Sequence, residues 1–307
     1  SAGAFEQIRG AVSGEVLPTK HTQLLFGLFH HEAAGFHTIK DQQSGGFDLN
    51  DGYLKLIHHL DDQDIHHLEI LIAGTTERSQ QTYLGTTLST ALLSPNERYF
   101  TSSNDAMSMD RLMTRLGYTM NLKNGFMRVD IYRQYVHRNW YKLDKIDAGN
   151  GAVSIASIME QHLDYPDEFA AALGQNSDSA FALLKANNRF YLSQGAQIRG
   201  QWAQRFGNIL LKHEAGLRFH YDHADRFQHT DNYLISQSVF TITQPGAPGA
   251  AGNRIDYTTA QSAYHRSTVS INKLNIQGGF RTEHIQAHRL DYGTNDPQRS
   301  GIDSKGR

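Results

Sequence analysis

Arginine, histidine and carboxylate residues are spaced along this chain in ways that invite three kinds of chemistry. Arg111, Arg115, Arg128, Arg138, Arg199 and Arg218 fall on one parity of alternating segments and could together focus a field that draws in an anion. Arg98, Arg226 and His229 sit where loops are expected and are the candidates for direct ligand contact, because a guanidinium grips a carboxylate through two parallel bonds. His30-His31-Glu32-Ala33-Ala34-Gly35 approaches the zinc-protease motif, but Gly35 stands where the second histidine is needed and the segment alternates as a strand. His58-His59 and His66-His67 flank a tight polar turn, so a hairpin would bring two imidazoles together, with no third ligand evident from the sequence. Hydrolytic chemistry would need facing acid and base pairs, for which Asp222 with His223 and Asp105 with Asp110 are the candidates. No nucleophile elbow, phosphate loop or dinucleotide fingerprint is present.

The elements that must position these residues are strands. From Arg189 to His223 two arms state the pattern: Phe190, Leu192, Ala196, Ile198 and Trp202 alternate with Tyr191, Ser193, Gln197, Arg199 and Gln201. The parity then reverses, with Ile209, Leu211, Ala215, Leu217, Phe219 and Tyr221 set against Lys212, Glu214, Arg218, His220 and Asp222. Each arm runs to about fifteen residues, well beyond an ordinary globular strand. An arm that long, apolar on one face and charged on the other, suits a tilted span of a bilayer with water on its inner side.

The same alternation recurs at residues 4–14, 22–32, 53–60, 66–77, around the Asn124-Gly125 hairpin signal, and at 257–271 and 274–290. Short turns near 18, 63, 123, 206 and 273 alternate with long loops near 40, 90, 165, 240 and after 291. That is the rhythm of a transmembrane antiparallel β-barrel, whose short turns and long loops lie on opposite sides of the membrane. The loop over 144–186 is the longest, and Pro166–Leu173 within it is predicted to be a short helix.

Composition is compatible. The chain has 307 residues, 14 Tyr, 15 Phe and no cysteine, and its net charge of −2 gives no field to recruit nucleic acid. Mean hydropathy is −0.52 and no long apolar run occurs, which disfavours membrane helices but not a barrel with a polar lumen.

Gly35-Phe36, Gly46-Phe47-Asp48-Leu49-Asn50-Asp51-Gly52, Thr82-Tyr83-Leu84-Gly85-Thr86, Pro95-Asn96-Glu97-Arg98-Tyr99 and His137-Arg138-Asn139-Trp140-Tyr141-Lys142-Leu143 together resemble the barrel of TonB-dependent receptors. The likeness is closest to the ferric-dicitrate-receptor-like group, continues through Asn188–Gly195 and Phe219–Asp222, and covers nearly the whole chain. It implies an all-β fold: residues 1–307 as one partial barrel domain, about ten consecutive strands of a 22-stranded barrel, with the plug and the TonB box absent from this chain. It also implies a location in the bacterial outer membrane, a ferric chelate as ligand, the inner-membrane TonB complex as partner, no catalytic residue, no metal site and no resident cofactor. A complete ten-stranded barrel protease resembling the omptins is the alternative, and a passive porin a third reading. A ten-stranded piece would leave two unpaired sheet edges, which lipid does not tolerate.

Overall fold

The computed structural model describes residues 4–39, 42–80, 82–175, 179–236 and 238–301. Ten long strands carry the architecture: β1 (Ile8–Thr19), β2 (Thr22–Ala33), β3 (Phe47–His59), β4 (His66–Ser79), β5 (Ala106–Leu122), β6 (Gly125–Asp147), β7 (Arg189–Phe206), β8 (Ile209–Ser236), β9 (Gly252–Ile271) and β10 (Leu274–Asp291). Each pairs antiparallel with the next, so the strands follow one another across the sheet in chain order. β1 and β10 bound the sheet and do not pair with each other among the described residues.

The expected short turns are found, with one shift. β1 continues through Pro18 to Thr19 after a register slip between Val16 and Thr19, an irregularity that a proline on a bounding strand allows. Its turn is therefore Lys20-His21 rather than Pro18. At the hairpin from β5 to β6, Gly125 has a steric role: a Cβ there would lie 1.9 Å from the carbonyl oxygen of Gln201, so only glycine lets β7 approach.

Register resolves the two faces. Ile70, Leu116, Ile131, Ala196 and Phe219 lie side by side across β4 to β8, as do Leu68, Tyr118, Val129, Ile198 and Leu217. These apolar side chains point away from the charged face and stay open: Leu217 is 60% exposed and Ile131 55%. Aromatic rows border them. On the long-loop side, Tyr135 and Phe190 pack at 6.1 Å and Tyr257 stacks on His288 at 5.0 Å. On the short-turn side Trp202, His213, His265 and Phe280 form a ladder with successive centroid distances of 5.3, 5.7 and 5.9 Å. Leu192, in register with Tyr135, stands ten residues from Trp202. That is about 33 Å along a strand, or about 25 Å across the membrane at a tilt of about 40°, the height of a lipid-facing apolar band.

The long loops are more structured than alternation indicated. The Pro166–Leu173 helix is present, with Gly174 closing it at φ 73°. Ala180–Ala186, expected to lie within an insertion, is a strand paired with both β6 and β8, and it continues the line of β7 beyond Asn187-Asn188. Likewise β8 runs on to Ser236 and Val239–Gln244 pairs with its end, where a loop was expected. Together these extensions enclose a small core above the sheet, in which Leu84, Phe100, Leu143, Ile146, Ile158, Leu184 and Ile235 pack on one another.

Asp105 ties that core down. Its carboxylate accepts backbone N–H bonds from Tyr83 at 3.1 Å and Leu143 at 2.9 Å. Burial pushes the carboxyl up to about 6, and those two bonds only partly oppose it. Because the folded value lies above the ordinary one, the contribution to stability is full below the ordinary carboxyl range and is lost as pH rises through about 6. Limited proteolysis of the 80–105 loop should therefore be slower at pH 5 than at pH 7.5, and Asp105→Asn should remove the difference. Equal cleavage of the unsubstituted protein at both pH values would contradict this.

Candidate functional site

Four arginines from four neighbouring strands fall into one lateral row on the charged face. Arg138 of β6 is in register with Arg189 of β7, Arg189 with Arg226 of β8, and Arg226 with Arg254 of β9. Arg254 is in register with Asp291 of β10, and Arg289 stands in the adjoining row opposite Asp256. Like charges placed directly across strands destabilise a sheet, so such a row needs compensation. Asp256 supplies part of it, lying 2.6 Å from Arg289 Nε, 3.3 Å from Arg254 Nε and 3.9 Å from Arg226 Nε. The contact with Arg254 is close but poorly aligned. The Nε atoms of Arg189, Arg226 and Arg254 are buried and have no hydrogen-bond partner among the described residues. Five arginines thus face two aspartates, a surplus of positive charge along this part of the face.

Lower on the same face the cations have carboxylate partners. Glu69, 7% exposed, takes Lys55 Nζ at 2.9 Å, Arg128 Nη2 at 3.1 Å and the guanidinium of Arg115. Asp130 takes Arg128 Nε at 2.8 Å and Gln197 Nε2 at 3.3 Å. Arg115 and Arg128, read from sequence as part of a ligand-guiding field, are thus committed to a buried ion cluster that braces the sheet. Arg218 donates to Tyr132 Oη at 2.9 Å, and Arg199 lies over the Phe126 ring at 5.8 Å. Of the arginines expected to attract a ligand, Arg138 alone belongs to the row. Sequence reasoning missed Arg189 and Arg254, which join it only once the register is known, and Arg289 beside it.

The three contact candidates lie apart. Arg226 occupies the middle of the row and belongs to β8, not to a loop. His229, three residues further along β8, falls on the opposite parity, and its Nε2 is 3.9 Å from Asp231. Arg98 clamps two loops: its guanidinium meets His37 Nε2 at 3.1 Å and the carbonyls of Pro95 and Glu97 at 3.1 and 2.7 Å.

The hydrolytic pairs do not assemble. Asp222 and His223 are consecutive in a strand and point to opposite faces. Asp222 instead binds His220 at 2.8 Å and accepts from Ser193. That hydroxyl bonds the carboxylate rather than the imidazole, so the Ser–His contact of a hydrolytic relay is not made. Asp105 is buried among backbone donors, while Asp110 pairs with Arg78 at 2.7 Å. The His30-His31-Glu32 segment lies in β2 and splits between faces, His30 and Glu32 sharing one with Asp48 while His31 packs on Phe47.

The sheet of successive antiparallel hairpins has counterparts among solved structures. Over 94% of its length the chain superposes on 44% of the ferric-catecholate import receptor Fiu from E. coli K12, with a TM-score of 0.66 at 12% identity. The fold is that of a TonB-dependent receptor barrel. The siderophore receptor PiuA from Acinetobacter baumannii matches 98% of this chain with 43% of its own, at a TM-score of 0.71 and 9% identity. For the ferric citrate transporter FecA the figures are 93%, 38%, 0.58 and 14%. The chain thus spans less than half the length of each of these receptors. No family model matches the sequence, and no curated protein does. This is the fold that the resemblance implied.

Proposed function

We propose that this chain forms part of the wall of a bacterial outer-membrane receptor that imports an anionic ferric chelate. The observation that carries the reading is the row Arg138, Arg189, Arg226 and Arg254, a surplus of inward guanidinium groups near the long-loop mouth. Carboxylate-bearing chelates of the citrate kind suit it best, since each arginine offers a planar pair of donors matched to a carboxylate. Arg226 is the central contact, with Arg98 ordering the loops nearer the rim, while His229, on the other face of β8, is not placed to join it. Energy would come from the inner-membrane TonB complex through a plug filling the barrel.

Accumulation of radioactive iron tests this reading. Cells producing the whole receptor that contains this wall should take up ferric citrate against a gradient and stop when the proton-motive force is collapsed. Uptake that is indifferent to energy, or equally rapid for unrelated small solutes, would replace the receptor with a porin.

A further inference from the structure

We propose that the short-turn hairpin between β3 and β4 is a binding site for a divalent late transition-metal ion of the Zn2+ or Cu2+ class, held by His59, Asp64 and His67. His59 and His67 are direct cross-strand partners on the charged face, their ring centroids 5.6 Å apart. Between them the turn presents Asp64, whose Oδ1 is 2.7 Å from His59 Nδ1 and 3.8 Å from His67 Nδ1. One ligand atom from each residue thus falls within 4.8 Å of the other two. Around an ion bound at about 2.0–2.1 Å in tetrahedral geometry, ligand atoms stand about 3.3 Å apart. Small side-chain rotations therefore close the shell without moving the strands.

The turn is built to hold Asp64 in place. Asp61 accepts the backbone N–H groups of Gln63, Ile65 and His66 at 2.9, 2.9 and 2.7 Å, and Asn121 donates to the Asp64 carbonyl at 2.7 Å. Asp64 itself adopts φ 55°, a left-handed conformation uncommon for a residue other than glycine. An independent sign comes from His67 Nδ1, a buried nitrogen with no hydrogen-bond partner among the described residues. It faces the position an ion would fill. The other two histidines of the paired motif turn away: His58 bonds Thr22 at 3.0 Å and His66 bonds Tyr118 at 2.8 Å on the opposite face. Each adjacent pair thus gives one histidine to the site and one to the outer surface, and the turn adds the third ligand that sequence did not reveal.

Two imidazoles with one carboxylate favour late first-row ions over Mg2+ or Ca2+, and leave coordination positions for water. The site is separate from the arginine row. His67 shares a lateral row with Thr119, Arg128 and Arg199, and Arg199 lies ten residues down β7 from Arg189, about 33 Å along the strand.

Titration of the detergent-purified protein with Zn2+ against a chromophoric chelator is the test, with Cu2+ electron paramagnetic resonance as a readout that needs no variant. The unsubstituted protein should bind Zn2+ saturably, and its Cu2+ spectrum should carry the signature of two imidazole nitrogens. Asp64→Asn, which preserves shape, should weaken Zn2+ by at least about tenfold, the least expected even of an outer-shell partner. The double variant His59→Gln/His67→Gln should abolish binding, whereas His58→Gln/His66→Gln should leave it intact. Absence of saturable binding, a Cu2+ spectrum lacking two nitrogens, or equal loss in both double variants would overturn the assignment.

Discussion

Arg226→Gln is expected to weaken binding of an anionic ferric chelate by about 1.5–3 kcal/mol, the worth of a hydrogen bond to a charged group, or roughly ten- to a hundredfold in affinity. The same substitution should leave the fold intact or slightly steadier. Arg226 is flanked in register by Arg189 and Arg254, and removing the middle of three like charges relieves repulsion. Affinity and stability are thus expected to move in opposite directions, which a merely structural arginine would not produce. Removing Arg189 as well should deepen the loss, and raised ionic strength should weaken binding to the unsubstituted protein more than to the double variant. Calorimetric titration with ferric citrate, paired with a urea unfolding curve, reads both quantities. Unchanged affinity in the double variant would remove the row from the binding site.

Glu69→Gln should be the most destabilising single change on the charged face. Glu69 is nearly buried and is the shared partner of Lys55, Arg115 and Arg128. Without it three cations are left with Asp130 as the nearest compensation, and breaking a buried ion pair from one side costs about 3–5 kcal/mol. That is a large part of the 5–15 kcal/mol typical of a folded domain. Urea unfolding in lipid vesicles should show a correspondingly lower midpoint, while Arg218→Gln, at a more exposed position, should shift it little. A loss below about 1 kcal/mol for Glu69→Gln would mean that lumen water already screens the cluster.

Much of the sheet was legible because lipid on one face and water on the other impose a strict period of two. The faces read for Leu192, Ile198 and Leu217 against Arg199 and Arg218 are those of the folded chain. The strand Ala180–Ala186 was not legible, because Ala-Phe-Ala-Leu-Leu is apolar on both parities where the loop core covers it. The arginine row was hidden for a different reason. Arg138, Arg189, Arg226 and Arg254 are separated by tens of residues, and only the hydrogen-bonded register of four strands makes them neighbours. Pairing of Arg115 and Arg128 with Glu69 depends on the same lateral information. The third ligand of the histidine hairpin depended on a backbone conformation at Asp64 that residue types alone do not specify.

The absence of cysteine makes one measurement especially direct, since any introduced thiol is unique within these 307 residues. Single cysteines at Gln197 and Ile198, and at Leu217 and Arg218, place neighbouring residues on opposite faces of paired strands. In the protein embedded in membranes, a polar maleimide should label positions 197 and 218, which face the water-filled interior, and spare 198 and 217, which face lipid. Equal labelling of both parities, or protection of 197 and 218 with exposure of 198 and 217, would contradict a membrane-spanning wall that carries its arginines inward.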